Sequence, residues 1–341
     1  MDNKENQMKA LVTGGGGFIG SALVHALIKR SFRVTSFSRA DYPELKKIGA
    51  EVKRGDLSDM NAVLNACEGM DIVFHVAAKA GTAGDYKNYY MTNVTGTENI
   101  IHACNVNNIK RLIYTSSASV VFDGKSIEGS NESLPYPSRP LSYYTATKAI
   151  AEQLILKANS SSLKTLALRP HIVYGPGDNH LFPRIIQQAK TGKLRQIGDG
   201  KNLIDVSYID NVVAAHLNAA QAIKENPEVA GKAYFITNGE PVLLWDFLNR
   251  ILAISDLEPL KKSFPTWAAL LFSALTEALH KTILINREPM LTRFLVRELS
   301  RSHWFDISSA RRLLNYNPVV SNIEGLKKLT NKQSKLQKMR D

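Results

Sequence analysis

Cysteine is scarce in this chain, and the patterns that bind structural metals are missing. Only Cys67 and Cys104 occur among 341 residues, and they form no Cys-x-x-Cys motif. This argues against a zinc site or an iron–sulfur cluster, and it favours a reducing compartment. We therefore expect no metal, and we interpret both cysteines as small buried hydrophobic residues.

Long apolar runs are absent as well. The most apolar segment, Trp267 to Leu279, is much shorter than the roughly 20 residues that a membrane-spanning helix needs. The first residues, Met1 to Gln7, lack the basic start and apolar stretch of a secretory signal. The sequence therefore predicts a cytoplasmic protein with no transmembrane helix.

Acidic residues are outnumbered, 31 against 43 Lys and Arg, which leaves a net charge of +12. Such an excess favours nucleic acid, anionic lipid or an acidic small molecule as a partner. Much of it lies in Leu326 to Asp341, and no nucleic-acid motif accompanies it. We expect no nucleic-acid partner. We interpret the basic tail, residues 331–341, as a solvated end, with peripheral contact to a membrane surface as the alternative.

Short apolar runs alternate with amphipathic stretches in the first half, which is typical of βαβ units. Strands are predicted at 10–12, 32–37, 51–53, 72–76, 112–114, 165–168 and 233–237, and helices at 20–29, 59–67, 94–106 and 143–157. The fold class is thus α/β, a doubly wound parallel sheet with a smaller, interleaved C-terminal lobe. We expect the first domain over 8–174 and the lobe mainly over 175–330, with segments near 205–237 returning to the first domain.

The first turn is rich in glycine and lies between a strand and a helix. Its sequence, Thr13 to Gly20, matches the pattern T-G-x-x-G-x-x-G. Gly14 allows the tight turn, Gly17 lets the backbone approach a pyrophosphate, and Gly20 lets helix and strand pack closely. The pattern predicts a Rossmann-type dinucleotide site formed by Gly14, Gly17, Phe18, Ile19 and Gly20.

The end of the second strand discriminates between dinucleotides. Ser38 does not repel a 2′-phosphate, and the Arg39 guanidinium pairs with it, so NADP(H) is favoured and NAD(H) is the alternative. Arg39 as a solvated surface residue and Asp41 as the acidic ribose ligand are the competing interpretations. After the third strand, Asp56 either accepts from an adenine amino group or caps the next helix, and Leu57 lies beside it.

Tyr144 and Lys148 have the spacing of a proton donor and its cationic neighbour. Residues four apart share a helix face, so we expect the ammonium, together with an oxidised nicotinamide, to lower the pKa of the phenol. Reduction of a ketone needs such a donor at the developing alkoxide. Tyr42 and Lys46 have the same spacing but follow the second strand, at the adenosine end.

Hydroxyl groups follow the strand at 112–114. Because ligands bind at the carboxyl ends of parallel strands, Ser117 is predicted as the second donor to the carbonyl oxygen, with Ser116 as its rival. The Ser/Pro-rich stretch Gly129 to Pro140 is predicted to be a loop, either bordering this site or serving as a surface connection.

Together these motifs resemble the extended short-chain dehydrogenase/reductases, in the branch that contains the 3β-hydroxysteroid dehydrogenases, over about Lys9 to Leu329. The likeness rests on the glycine turn and on Gly55-Asp56-Leu57, His75-Val76-Ala77-Ala78, Asn93-Val94-Thr95-Gly96-Thr97, Thr115-Ser116-Ser117, Tyr144 to Lys148, Leu168-Arg169-Pro170 and Val173 to Gly177. It implies an NAD(P)-dependent oxidoreductase with Ser117, Tyr144 and Lys148 as its catalytic triad. Asp56, Leu57, Ala77, Ala78, Asn93 and Pro170 carry over as cofactor-site residues. Asn93 serves in a proton relay or in a structural hydrogen bond, and a homodimer is expected.

A narrower likeness, carried by 77–81, 175–181, 231–241 and 291–296, is to bacterial reductases of long-chain 2-alkyl-3-oxo acids. It implies reduction of a lipidic keto acid to the 3-hydroxy acid with NADPH. A steroid or sterol dehydrogenase is the alternative. A nucleotide-sugar epimerase or dehydratase is disfavoured because Ala118-Ser119 replaces the acidic pair of dehydratases, and a non-catalytic NADPH-binding module is disfavoured by the intact triad.

The lobe should present a cation and an apolar channel to such a substrate. Arg184, Arg293 and Lys79 are the candidate cations. The segment Phe264 to Leu279 either lines the channel, rests on a membrane surface or forms a buried helix, which is the favoured interpretation. We interpret His75, His171 and His180 as structural or pocket-edge residues.

Overall fold

The computed structural model describes residues 7–81, 84–179, 181–282 and 291–337. The strands are β1 (Lys9–Thr13), β2 (Arg33–Ser38), β3 (Glu51–Arg54), β4 (Ile72–His75), β5 (Arg111–Thr115), β6 (Ile127–Ser130), β7 (Lys164–Pro170), β8 (Val173–Tyr174), β9 (Gln196–Ile197), β10 (Leu203–Ile204), β11 (Ser207–Tyr208), β12 (Ala233–Ile236), β13 (Val242–Leu243), β14 (Ser263–Phe264) and β15 (His303–Phe305). The α-helices are α1 (Phe18–Lys29), α2 (Pro43–Lys47), α3 (Met60–Cys67), α4 (Tyr86–Tyr90), α5 (Gly96–Val106), α6 (Tyr143–Lys157), α7 (Leu181–Lys190), α8 (Ile209–Glu225), α9 (Leu244–Ile254), α10 (Thr266–Thr282), α11 (Arg293–Ser300), α12 (Ser308–Leu314) and α13 (Asn322–Gln337).

A seven-stranded parallel sheet forms the centre of the molecule, with strand order β12-β7-β5-β4-β1-β2-β3. Apart from the polar edge strand β3, its strands are mostly apolar and almost fully buried, as expected where helices cover both faces. The chain reverses its direction of travel across the sheet between β1 and β4, and the carboxyl ends of these two strands border a crevice there. The predicted α/β, doubly wound class is confirmed.

Local sequence explains where the helices of this sheet begin. Ser142 caps α6 and forms a capping box with Thr145, so the helix starts at Tyr143, as predicted. Asp59 caps α3 by accepting from two backbone N–H groups. The interpretation of Asp56 as that cap is therefore wrong.

A buried ion pair joins α6 to the sheet. The Arg169 guanidinium on β7 donates to both carboxylate oxygens of Glu152 on α6, with an Nη2–Oε1 distance of 2.6 Å. Tyr136 donates its hydroxyl to the same carboxylate at 2.6 Å. The pair thus fixes α6 relative to β7 and holds the segment before α6 against both.

The second half of the chain contains short strands that the sequence did not predict. Strands β8 and β11 pair, β9 and β14 pair, and β13, β10, β15 and β6 form a four-stranded sheet. Strand β6 includes Gly129 and Ser130, so the loop predicted from Gly129 to Pro140 is wrong at its first two residues. They are recruited by pairing with β15, which lies far away in the chain. Strand β12 completes the central sheet beside β7, whereas β11 pairs with β8 outside it.

Candidate active site

One cavity of about 680 Å³ opens at the point where the strand order reverses. The predicted site residues that line it are Gly14, Gly17, Phe18, Ile19, Gly20, Ser38, Arg39, Asp56, Leu57, Ala77, Ala78, Ser117, Tyr144, Lys148 and Pro170. The structure therefore brings together the glycine turn, the end of β2 and the Tyr-Lys helix face in one crevice. Asn93 is the predicted residue that does not line it.

The glycine turn has no room for side chains. A Cβ on Gly20 would lie 2.1 Å from the Gly14 carbonyl oxygen, and one on Gly14, which has a φ of +68°, would lie 2.8 Å from the Ala77 Cα. The chain can thus pass close to β4, and α1 begins directly after the turn. Its first-turn N–H groups have no intrahelical acceptor and suit a pyrophosphate, so the turn fits the dinucleotide that the pattern predicts.

A chain of hydrogen bonds fixes the crevice between β1 and β4. Thr13 donates its hydroxyl to His75 Nδ1 at 2.8 Å and accepts from the backbone N–H groups of Val76 and Ala77. His75 Nε2 donates to the Thr97 hydroxyl at 2.9 Å, and that hydroxyl donates to the Asn93 carbonyl at 2.6 Å. Burial lowers the pKa of His75 to about 3, so the ring is neutral and structural, as interpreted from the sequence.

Asn93 lies behind the cavity, buried among backbone groups. Its side-chain amide donates to the Lys79 carbonyl and the Thr147 hydroxyl, both at 3.0 Å, and its side-chain oxygen accepts from the Lys79 N–H at 2.7 Å. These bonds join the segment after β4 to α6. Asn93 thus makes hydrogen bonds of the kind that its structural alternative predicts.

At the adenosine end, charged groups surround Ser38 and Arg39. The Asp41 carboxylate is paired with Lys46 at 2.9 Å, which lowers the pKa of Asp41. Arg54, on the neighbouring strand β3, donates from Nε to the Arg39 carbonyl at 3.4 Å. Two guanidinium groups therefore lie at the end of β2, a place that we call the Ser38-Arg39 corner. Sequence reasoning missed Arg54, although the register of adjacent parallel strands places it opposite Ser38.

Asp56 lies in the same part of the cavity and is already hydrogen-bonded. Its Oδ1 accepts from the Ser58 N–H at 2.9 Å and from the Ser58 hydroxyl at 2.7 Å. The backbone bond is the main reason that the pKa of Asp56 is lowered. The carboxylate is thus ionised and held in place, with Leu57 buried beside it.

Tyr144 and Ser117 meet in the cavity. Burial raises the pKa of the Tyr144 phenol, and a hydrogen bond with the Ser117 hydroxyl opposes that rise. Ser117 Oγ also lies 2.8 Å from the Ser119 hydroxyl. Ser116 lines the cavity too, but its hydroxyl is buried without a hydrogen-bond partner among the described residues. The geometry favours Ser117 over Ser116 as the partner of Tyr144.

The side-chain amine of Lys148 is directed toward β5. Its Nζ donates to the Thr115 carbonyl at 2.6 Å and lies 4.0 Å from the centre of the Tyr114 ring. Burial lowers the pKa of Lys148 to about 7. In the protein without a dinucleotide, burial is the main influence on the pKa of Tyr144, and Lys148 is not among the groups that shift it.

Glu298 is a further carboxyl group near Tyr144, and no sequence motif indicated it. Glu298 lies on α11, and its backbone carbonyl accepts a hydrogen bond from His303 Nε2 at 2.7 Å. Burial raises the pKa of the Glu298 carboxyl to about 8, and its charge in turn raises the pKa of Tyr144. The buried Glu298 carboxyl is therefore largely protonated at neutral pH.

Glu298→Gln is expected to change how stability depends on pH. The folded protein keeps the Glu298 proton up to about pH 8, whereas an unfolded chain releases it near 4.5, so the parent loses stability as pH rises through this window. Gln stays neutral, so the free energy of unfolding of the variant should rise relative to the parent by about 1 to 2 kcal/mol across it. Urea unfolding at both ends of the window measures this. Glu44→Gln, at an exposed position, is the control. A difference that is independent of pH would show that Glu298 is not held neutral.

The lobe residues predicted to recognise a carboxylate lie elsewhere. Arg184, Arg293 and Lys79 do not line the described cavity, and Arg293 is paired with Glu277 at 2.8 Å. His171 is buried and donates from Nε2 to His303 Nδ1 at 2.7 Å, which fits its structural interpretation. His180 falls outside the described residues.

Two absences apply to the described part of the chain. Residues 7–81, 84–179, 181–282 and 291–337 contain no group of three His, Cys, Asp or Glu side chains placed to hold a metal ion. Over the same ranges, no helix has both the length and the apolar character needed to cross a bilayer. Cys67 and Cys104 are free and buried, as predicted.

The fold and the crevice are those of an NAD(P)-dependent oxidoreductase that acts on hydroxyl or keto groups. The chain belongs to the 3-beta hydroxysteroid dehydrogenase/isomerase family, whose model matches residues 11–266. It is 45% identical over 324 residues to a 2-alkyl-3-oxoalkanoate reductase of Stenotrophomonas maltophilia, covering 94% of this chain and 98% of that protein.

Two further comparisons place the chain more broadly. A decarboxylating sterol-4-alpha-carboxylate 3-dehydrogenase of Mus musculus is 34% identical over 325 residues, covering 94% of this chain and 89% of that protein. The crystal structure of a UDP-glucuronic acid 4-epimerase from Bacillus cereus in complex with NAD is 26% identical, with a TM-score of 0.72 and coverage of 96% and 99%. The predicted resemblance to the extended dehydrogenase/reductases is confirmed.

Proposed function

We propose that this protein uses NADPH to reduce the ketone of a long-chain 2-alkyl-3-oxoalkanoate to a 3-hydroxy acid. One observation carries the proposal: Ser117, Tyr144 and Lys148 line the same cavity as the glycine turn and the Ser38-Arg39 corner. A proton donor and a dinucleotide cradle in one crevice are what ketone reduction requires.

The roles proposed for the side chains follow from their chemistry. NADPH, when bound, supplies the hydride. Tyr144 donates the proton from its Oη to the developing alkoxide, and Ser117 donates a hydrogen bond to the same oxygen. Lys148 is buried on the helix face that carries Tyr144, and in its protonated form it provides positive charge on the side of the crevice where negative charge develops.

The proposed preference for NADPH rests on the adenosine end of the cavity. Arg39 and Arg54 bring two positive charges to the end of β2, and charge-assisted contacts to phosphate are among the stronger polar contacts in proteins. Asp41, the rival ribose ligand, is paired with Lys46. NADH remains the alternative cofactor.

The proposed substrate is inferred from the compounds named for two relatives and from the chemical group that these compounds share. A 2-alkyl-3-oxoalkanoate and a sterol-4-alpha-carboxylate both have a carboxylate one carbon away from the carbon that changes oxidation state. We infer that a β-keto acid is the unit this site acts on. The higher identity to the reductase favours the acyclic acid over the sterol, which is the second candidate.

A substrate panel tests this choice. With NADPH, we expect kcat/KM for a 2-alkyl-3-oxo acid to exceed that for the matched ketone without the carboxylate by about tenfold or more, since one charge-assisted contact contributes about 1.5 to 3 kcal/mol. NADPH oxidation followed by absorbance, with freshly prepared keto acid, gives both values. Faster turnover of a 3-ketosteroid would contradict the proposal and support the sterol alternative.

The organisation of the chain is part of the same proposal. Residues 8–174 would bind the dinucleotide and residues 175–330 would mainly bind the substrate, with segments near 205–237 in the first domain. Residues 331–341 would form the basic tail, of which the part up to Gln337 continues α13. We also propose a homodimer, which sedimentation velocity would detect.

A further inference from the structure

Helix α10 has its apolar side turned outward. Its large apolar side chains are exposed by 72% at Trp267, 58% at Leu271, 53% at Phe272, 63% at Leu275 and 45% at Leu279. The fully buried side of the helix carries Ala269 and Ser273 instead. This corrects the sequence-based expectation of a buried helix. An outward apolar stripe of this size in a folded protein marks a surface that binds something apolar.

The stripe is continuous and carries no charge. Trp267, Leu271, Leu275 and Leu279 follow one another at a spacing of four residues, so they lie along one face of the helix. Between Trp267 and Leu279 the single charged residue is Glu277, which is mostly buried and paired with Arg293 at 2.8 Å. From Trp267 to Leu279, the outward face of α10 therefore has no charged side chain that would favour its exposure to water.

A basic cleft lies at the N-terminal end of the stripe. Lys261, Lys262 and Arg195 line it, together with Glu258, whose carboxylate is 3.7 Å from Lys261. Pairing of β14 with β9 holds the cleft beside the start of α10. Exposed Phe264 lies on β14, between the cleft and Trp267. Positive charge thus borders the apolar stripe at one end.

We propose that the α10 stripe docks on the surface of an anionic phospholipid bilayer. The apolar side chains would enter the boundary of the acyl region, with Lys261, Lys262 and Arg195 against the lipid phosphates. Charge complementarity favours this occupant, because the cleft is basic and the whole chain carries a net charge of +12. Trp267 lies between the basic cleft and the rest of the apolar stripe. At a membrane interface, this boundary is the position that the amphipathic indole ring prefers.

The proposal does not depend on the substrate assigned above, because its test measures binding and not turnover. The full chain is mixed with vesicles of equal parts phosphatidylglycerol and phosphatidylcholine, or of phosphatidylcholine alone, and the bound fraction is measured by flotation. We expect binding to the anionic vesicles at least about tenfold stronger than to the zwitterionic ones, since several basic residues contribute near an anionic surface.

Paired variants separate the stripe from the rest of the surface. Leu271→Glu/Leu275→Glu should abolish flotation, because it places two carboxylates in the apolar stripe, and Lys261→Ala/Lys262→Ala should weaken it by about tenfold or more. The matched control is Val319→Glu/Ile323→Glu, which adds the same charges at positions that are 66% and 59% exposed elsewhere on the surface. The control should float like the parent. Circular dichroism and NADPH binding should be unchanged in all three.

Three results would overturn the proposal. The first is failure of the parent chain to float with anionic vesicles, and the second is binding of the stripe variant to them as strong as that of the parent. The third is a dimer in sedimentation velocity that Leu271→Glu/Leu275→Glu dissociates in the absence of lipid, which would show that a second copy of the chain covers the stripe.

Discussion

Tyr144→Phe is expected to lower kcat for ketone reduction about a thousandfold while leaving the dissociation constant for NADPH nearly unchanged. General acid catalysis by a positioned side chain contributes typically 10² to 10⁴ in rate, and the phenol is the group within reach of Ser117 that can donate the proton. Phe keeps the ring and loses only the hydroxyl. The fold should therefore survive, and stopped-flow hydride transfer with saturating NADPH would isolate the lost step.

The neighbouring tyrosine offers a matched control. Tyr143 precedes Tyr144 on α6 but is exposed and does not line the cavity, so Tyr143→Phe should keep the parent rate. If Tyr144→Phe reduces ketones as fast as Tyr143→Phe, the proton comes from another group, and the proposed role of Tyr144 is wrong.

The central sheet and its helices could be predicted because their signals are local. Each strand is a short apolar run, and α6 begins at Tyr143 because Ser142 and Thr145 form a capping box within four residues. The crevice follows from the order of these elements, since the carboxyl ends of parallel strands gather the groups that follow them. The residues of the glycine turn, Ser117 and Tyr144 could therefore be placed together without coordinates.

What sequence reasoning missed depends on partners distant in the chain. Strand β6 forms because it pairs with β15, and α11, which carries Glu298, packs on the segment after Ser117, where the ring centres of Phe294 and Phe122 are 6.4 Å apart. The contact that Lys148 makes with β5 also depends on a distant partner. Helical spacing fixes which residues share a face, but the Thr115 carbonyl on β5 decides where the ammonium goes.

The orientation of α10 was misjudged for a different reason. Its apolar residues recur at helical spacing, and such a stripe normally faces the core. Spacing alone does not say on which side of a helix the rest of the protein lies. Here small residues, Ala269 and Ser273, provide the packed side, which leaves Trp267 and Leu271 outside.

Ser38→Asp/Arg39→Ala is expected to shift the preference for NADPH over NADH, measured as the ratio of kcat/KM values, by about a thousandfold toward NADH. Removing the guanidinium would remove the proposed charge-assisted contact to the 2′-phosphate, and such a contact contributes about 1.5 to 3 kcal/mol. The new carboxylate repels that phosphate and can accept from the 2′-hydroxyl of NADH. The two effects act in the same direction, which is why this change should be the largest at the adenosine end.

A control must show that the effect comes from losing a positive charge at the Ser38-Arg39 corner and not from losing a positive charge anywhere on the protein. Arg33→Ala removes a positive charge from the exposed opposite end of β2 and should leave the cofactor ratio unchanged. Arg54→Ala should lower the preference for NADPH by a smaller factor, because its guanidinium donates to the Arg39 carbonyl and supports that corner from β3. A parent enzyme that already prefers NADH, or a Ser38→Asp/Arg39→Ala variant with the ratio of the parent, would show that this corner does not select the cofactor. The selection would then have to come from Asp41 or from residues beyond the end of β2.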